Sequence, residues 1–346
     1  MLTDNILLPM LASRCTDKVF VLRDFPGTLD DVRVEYLVPE KPQKGLWRHI
    51  AKLSRGIRAV RKNGIDVIVG VLNTPHGFIG RAISIFTRRP YVHMTVAGHR
   101  EFWVDGPLME KINLRVFGQG ASAITVTGEQ TRQYLLRKGV PQEKLFIMPN
   151  LPDEVFTKVP PSEDRHYDII SFSRIDRNKN VILLIRALAA LKDRYKLKVA
   201  IEGDGDQLET VKAEAAAKGV DSMIDFLGYL PDVRDKIRLL SDSKIFISCS
   251  KGEGFPVALL EAMNCGCVPV VSNVGDIADV VIDKKNGYMF EDTDDESGFV
   301  SCLERLLGNE DKIAAMRSEA VKIKDTISVA ANGKIWDRVL EYAAKR

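Results

Sequence analysis

The sequence predicts an α/β protein of two doubly wound domains, and three observations carry that reading. At 346 residues the chain is too long for one ordinary core, so two domains of about 150 residues each follow from size. Hydrophobic content of 45% and charged content of 28% are those of a soluble globular protein. The third observation is a strand, glycine turn, helix, strand unit. Lys244-Ile-Phe-Ile-Ser248 reads as a buried strand, Gly254 turns the chain, Val257 to Asn264 has helical composition, and Val268-Pro-Val-Val271 is the second strand.

In parallel α/β sheets such a unit aims a helix N-terminus at an anion. Two carboxylates flank it, Glu253 just before the helix and Glu261 two turns in. Carboxylates are poor phosphate ligands, so they grip hydroxyls while the N–H groups of Gly254, Phe255 and Val257 hold phosphate. Pro256 has no N–H, and its fixed φ suits the first turn of a helix. Hydroxyls beside phosphate describe a sugar nucleotide. Upstream, Arg174 and Lys179 stand five apart in a turn before the helix Val181 to Leu191 and can converge on one anionic site. The plainer alternative for either alone is a solvated loop cation.

Glu253-x7-Glu261, with Gly-Phe-Pro after the first Glu and Glu-Ala-Met around the second, resembles the retaining glycosyltransferases of family four (glycosyl transferases group 1), which have the GT-B fold. The resemblance covers roughly residues 60–340. It implies two Rossmann-like domains facing a central cleft: an acceptor-side domain over 1–150, a nucleotide-sugar domain over 151–327, and a C-terminal helix over 328–346 that crosses back to the first, with Trp336 at the seam. It implies retaining transfer of a hexose from a nucleoside-diphosphate sugar (UDP favoured, GDP an option) to a saccharide or lipid-linked acceptor in glycan or cell-envelope biosynthesis. By the same resemblance Arg174 and Lys179 hold the diphosphate, Glu253 the transferred sugar, Glu261 the ribose and the Leu230 backbone the base. His99, after the strand Pro90 to Val96 and a glycine, is the sugar-side histidine. Arg174, Lys179, Glu253 and His99 form the catalytic set, and Gly254, Phe255, Val257, Leu230 and Glu261 complete the donor site. No metal or other cofactor is implied, and Asp204-Gly-Asp206 is read as the family's turn.

One departure stands out. The family opens with a strand and a glycine-rich loop; Val19 to Leu22 reads as a strand, but no such loop is present in the first 24 residues. Either Pro9–Arg14 takes the loop's place or the chain is shortened there. Ile6 to Leu11 reads equally as a strand or a helix end. The departure favours the runner-up reading, a catalytically weak or inactive sugar-nucleotide-binding relative. A nicotinamide dehydrogenase would need Gly-x-Gly-x-x-Gly after an early strand, and none is present in that context. Val32 to Leu37 and Ile65 to Val69 read as strands, the latter leading to His76 in an acceptor-side loop. His93 lies inside a strand as a core residue. Prolines 149, 152, 160 and 161 mark 149–165 as the hinge.

Partners follow from charge. Net charge is only +3, but from Lys41 to Lys62 there are eight Lys or Arg residues, with no acid between Glu40 and Asp66. Leu46, Ile50, Leu53, Ile57 and Val60 recur at helical spacing, so residues 44–62 form a basic amphipathic helix. The plain reading is a solvated helix. The sharper one is a surface for anionic lipid or an anionic acceptor, with Trp47 leaning towards an interface. Nucleic acid is not expected. Five sparse cysteines give no disulfide framework, and no signal peptide or apolar stretch of spanning length is present. The expected place is the cytoplasm, with a peripheral position on the inner face of the membrane if the basic helix meets a bilayer.

Overall fold

The computed structural model describes residues 2–39, 44–160 and 162–345, so Glu40, Lys41 and Pro161 lie outside the described residues. The chain divides into two compact units, Met1–Leu151 with Ile327–Arg346, and Pro152–Thr326.

The first unit opens with helix α1 (Leu2–Ala12), then the parallel pair β1 (Val19–Leu22) and β2 (Val34–Leu37). Ile6 to Leu11 is helical, with Pro9 inside the helix. The long α2 (Gly45–Asn63) leads back to β3 (Ile68–Val71) and stops at Gly64, whose left-handed φ of 63° lets its N–H reach the Val60 carbonyl. There follow a π turn over Asn73–Gly77, α3 (Phe78–Thr87), β4 (Tyr91–Met94), α4 (Arg100–Trp103), α5 (Pro107–Asn113), a π turn over Leu114–Gln119, β5 (Ala123–Val126), α6 (Glu129–Arg137) and β6 (Leu145–Ile147). Strands β3 to β6 form a parallel sheet in sequence order. β4 and β5 are buried at every position, as strands covered on both faces must be.

The expected amphipathic stripe of α2 splits in two. Leu53, Ile57 and Val60 pack into the core with Ile83 and Tyr91, whereas Leu46 and Ile50 are exposed. One expected surface cation is also buried: Lys52 is paired with Asp24.

The second unit begins with α7 (Glu154–Thr157), which falls within the expected hinge. It continues with β7 (Tyr167–Phe172), α8 (Val181–Leu191), β8 (Val199–Glu202), α9 (Leu208–Lys218), β9 (Ile224–Gly228), α10 (Val233–Ser241) and β10 (Ser243–Ser248). Then come α11 (Val257–Asn264), β11 (Val268–Ser272), β12 (Tyr288–Phe290), α12 (Glu296–Glu304), α13 (Glu310–Ala320) and α14 (Ile323–Thr326). Its six strands are all parallel, in the order β12-β11-β10-β7-β8-β9. The chain builds outward from β7 to β9, then returns to lay β10 on the other side of β7. The order therefore reverses between β7 and β10, and connections leaving these two strands part to leave a crevice.

The last helix, α15 (Val329–Ala344), belongs to the first unit and is capped by the Ser328 hydroxyl, which accepts the Ala331 N–H at 3.2 Å. Trp336 is 1% exposed, packed with Leu7, Met10, Val92, Met94 and Met148. Pro9–Arg14 does not take the place of a glycine loop. It ends α1 instead of following a strand, and it is tied to α15, with Ser13 Oγ donating to Asp337 at 2.7 Å and Arg14 paired with Glu341 at 3.0 Å.

Candidate active site

The crevice between β7 and β10 collects the residues that carry charge. From β7 the chain passes Arg174 and turns through Asp176, whose Oδ1 accepts the Lys179 N–H at 2.9 Å. Asn180, at φ 51°, then starts α8. From β10 it passes Lys251 to Glu253 and enters α11 at Val257. The two loops are fastened together. Lys251 N–H donates to the Asn178 carbonyl at 2.8 Å, Asn178 Nδ2 donates to the Gly252 carbonyl at 2.9 Å, and Lys179 Nζ meets Glu253 Oε1 at 2.6 Å. The Lys179 and Glu253 side chains are 21% and 11% exposed, so this ion pair is largely shielded from water. Arg174 is different. Its side chain is 80% exposed and pairs with Asp176 at 3.1 Å, a surface contact that a ligand can displace at little cost.

Glycines shape both loops. Gly275 sits at φ 62°, and a Cβ there would lie 2.2 Å from the Glu253 carbonyl, so only glycine lets that strand end back onto the loop. The adjacent Asp276 N–H donates to the Gly254 carbonyl at 2.9 Å. Gly203 would place a Cβ 1.9 Å from the Ser173 carbonyl. The Gly203-Asp-Gly205 turn thus cradles the backbone that carries Arg174, and Ile175 N–H donates to the Asp204 carbonyl at 2.9 Å. Among the described residues no group of three or more His, Cys, Asp or Glu side chains is arranged to hold a metal.

Glu261 faces another part of the same unit. Burial pushes its carboxyl up to about 7, Asp153 and Glu202 push the same way, and Lys236 opposes them. Lys236 lies over the Tyr229 ring at 4.7 Å and the Phe172 ring at 5.8 Å. Glu202 is 4% exposed and accepts the Leu230 N–H at 3.0 Å. The Leu230 N–H is therefore already used within the protein. Val257 opens α11 behind its N-cap Pro256, with Gly254 and Phe255 in the loop just before it. Phe255 turns its ring into the core at 5% exposure.

His99 lies in the first unit, at the end of the β4 connection. Its N–H donates to Thr131 Oγ1 at 3.2 Å, and its ring lies 5.4 Å from that of Tyr134. The connection is held by Glu101, a buried carboxylate that accepts the N–H groups of Val96 and Ala97. Burial raises this carboxyl to about 7. His93 is a core residue as expected, stacked on Phe117 at 4.4 Å with Nδ1 3.1 Å from the Tyr91 hydroxyl. Burial pushes its imidazole down to about 3.

The structure thus joins Lys179 to Glu253 directly and sets Arg174 in the same loop as Lys179. Four residues went unnoticed in the sequence: Asn178, Glu202, Lys236 and Asp153. Glu202 carried a signal, being a carboxylate at the closing position of an otherwise apolar strand. The other three read as ordinary surface residues.

The sequence matches the family described as "Glycosyl transferases group 1" over residues 153–323 and a "Glycosyl transferase 4-like domain" over residues 11–151. The chain is a group 1 glycosyltransferase with the GT-B fold. Among similar proteins, this glycosyltransferase is 26% identical over 301 residues to the GDP-mannose-dependent alpha-(1-6)-phosphatidylinositol monomannoside mannosyltransferase of Mycolicibacterium smegmatis, covering 82% of this chain and 78% of the relative. It is 24% identical over 258 residues to a Campylobacter jejuni alpha-1,4-N-acetyl-D-galactosaminyltransferase whose named acceptor is a diphosphate-undecaprenol glycan, covering 73% of this chain and 68% of the relative. A component of the Arabidopsis thaliana phosphatidylinositol N-acetylglucosaminyltransferase is 25% identical over 62% of this chain, and the match takes in only 51% of that protein. The glycosyltransferase shares its fold with Anabaena HepE, solved with UDP and glucose, at a TM-score of 0.77 and 18% identity over 97% of this chain and 95% of that one.

Proposed function

We propose that this glycosyltransferase moves a hexose from a nucleoside-diphosphate sugar to a saccharide or lipid-linked acceptor, keeping the anomeric configuration, in glycan or cell-envelope biosynthesis. The Lys179–Glu253 contact beside the start of α11, with Arg174 in the same loop, carries the reading. As the bond from C1 to the diphosphate oxygen breaks, negative charge grows on the leaving group. The Arg174 guanidinium, the Lys179 ammonium and the first-turn N–H groups of α11 neutralise it. With that much positive charge fixed in place, the reading asks for no metal. When the donor enters, Lys179 gives its remaining N–H donors to phosphate while Glu253 accepts from a sugar hydroxyl. Glu261 takes the ribose and the Leu230 carbonyl takes an N–H of the base. The acceptor hydroxyl attacks C1 from the leaving-group face, and its proton passes to the departing diphosphate. This scheme needs no carboxylate nucleophile. His99 is assigned to the sugar.

UDP is the favoured nucleotide, supported by the UDP bound to HepE, and GDP is the alternative, supported by the named donor of the mycobacterial relative. The proposed place is the cytoplasm, peripheral on the inner face of the membrane through residues 44–62. Among the described residues no helix is long and apolar enough to cross a membrane. Calorimetric titration with UDP and GDP should show micromolar binding of one of them, weakened in Arg174→Ala and Lys179→Ala. The anomeric coupling of the product, read by NMR, tests retention. Transfer within twofold of wild type in both variants would sink the reading.

A further inference from the structure

One buried carboxylate of the second unit takes no part in the phosphate and sugar contacts described above. Glu202 closes β8 and is 4% exposed. The ladder to β9 slips at this point: Ile201 pairs with Phe226 but Glu202 pairs with Gly228, so Leu227 is an extra residue. Such a bulge bends the strand and re-aims the side chains beside it. Gly228, at φ 67°, turns the chain, and Leu230 N–H then reaches Glu202 Oε1 at 3.0 Å. Glu202 Oε2 accepts no hydrogen bond among the described residues, yet it is not sealed from solvent.

A cation stands beside this acid. Phe172, the last residue of β7, is the partner of Glu202 across the ladder. The Lys236 ammonium lies 5.8 Å from the centre of the Phe172 ring and 4.7 Å from that of Tyr229. Its attraction for Glu202 and Glu261 acts through space, without an ion pair among the described residues. The carboxyl ends of β7, β8 and β9 thus present a carboxylate oxygen and an ammonium side by side, next to Leu230.

Nucleotide bases differ in the edge they offer to such a pair. Guanine carries two adjacent N–H donors, N1–H and N2–H, followed by the O6 acceptor. Uracil carries one, N3–H, between two carbonyl oxygens, so a carboxylate that takes N3–H sets its other oxygen against a carbonyl. Leaving that oxygen unpaired beside another acceptor is costly in a buried site. We infer that Glu202 selects the base, accepting N1–H and N2–H of guanine while Lys236 donates to O6, so that the sugar is carried by guanosine diphosphate. The inference rests on the proposed function for the presence of a nucleotide in this crevice, and it decides between the two bases weighed there, against uridine. The UDP of HepE bears on this chain through a likeness of fold at 18% identity, which does not fix the side chain that reads a base.

Calorimetric titration of the full chain with GDP, IDP and UDP tests it. GDP should bind about tenfold tighter than UDP. IDP lacks only the 2-amino group of GDP and should bind about tenfold more weakly than GDP, because one carboxylate oxygen is left without its N–H. Glu202→Gln keeps an oxygen for the Leu230 N–H but puts an N–H in place of the other oxygen, which opposes guanine and suits uracil. This variant should lose about tenfold or more in GDP affinity, narrow the gap between GDP and IDP, and keep its affinity for UDP. A side chain that only held the Leu230 loop would move all three nucleotides together. UDP binding as tight as GDP, IDP equal to GDP in the wild type, or an unchanged ratio of GDP to UDP in Glu202→Gln overturns the inference. The wild-type series decides by itself if the variant does not fold. UDP binding alone removes only this inference, whereas binding of none of the three overturns the sugar-nucleotide reading and this inference with it.

Discussion

In the second unit's crevice, Lys179 meets Glu253, Asn178 meets Gly252, and Gly275 lies against the Glu253 carbonyl. At the carboxyl edge of the first unit, Asn73 Oδ1, His93 Nε2, Glu101 Oε2 and Asn113 Oδ1 are buried without a hydrogen-bond partner. The exposed Phe25, Leu46, Trp47, Trp103 and Leu108 all lie on segments that follow strands of that first unit. An orphaned buried polar atom costs about 1–3 kcal/mol. The crevice is therefore fastened by contacts within its own loops, whereas the first edge combines buried polar atoms without partners and exposed apolar side chains. Preformed charge is what the proposed leaving diphosphate would need.

The largest expected effect breaks the crevice. Arg174→Ala and Lys179→Ala should each lower kcat/KM by about 100-fold or more, roughly 3 kcal/mol, in a transfer assay. Asn73→Ala in the first unit should leave nucleoside diphosphate affinity unchanged.

Glycines sharpen the contrast. Gly275→Ala drives a Cβ into the Glu253 carbonyl, so donor affinity should fall about tenfold and stability by about 2 kcal/mol or more in urea denaturation. Gly64→Ala has an equally left-handed φ of 63° but nothing within 4 Å of its Cβ. It should cost only about 1 kcal/mol and leave donor affinity alone.

Each unit also holds one carboxyl at about 7, Glu101 and Glu261, raised chiefly by burial from an ordinary 4.5. The folded protein therefore keeps protons that the unfolded chain releases near pH 4.5. The stability they supply is complete below pH 4.5 and lost as pH rises to 7, by up to about 3 kcal/mol per group. Denaturation midpoints measured from pH 4.5 to 8 should show that decline. Glu101→Gln and Glu261→Gln should each flatten part of it, and only Glu261→Gln should also alter the pH dependence of nucleotide binding. The smallest expected effect is that of a chelator: EDTA should change the transfer rate by less than about twofold.

Much of the crevice was legible because its parts are local. The strand, glycine and helix of 244–271 and the Arg174–Lys179 turn each lie within one short stretch of sequence. Their joining was not. Lys179 reaches Glu253 across 74 positions, and Leu230 reaches Glu202 across 28. Helical periodicity found the apolar stripe of α2 but could not say that Leu53, Ile57 and Val60 pack while Leu46 and Ile50 stay exposed. Nor could charge counting show that Lys52 is buried against Asp24. Ile6 to Leu11 read equally as a strand or a helix end, and the packing of α1 against α15 made it helical.

By itself the sequence determined the alternation of strands and helices, the residues proposed for the donor site and the basic character of α2, since each depends on residue type and near spacing. Tertiary structure alone decided that β10 returns beside β7, that Lys179 is held by Glu253, and that Glu202 and Lys236 frame Glu261. These depend on which distant segments share a hydrophobic core, and such pairings are fixed by the collective burial of many side chains and not by any one motif.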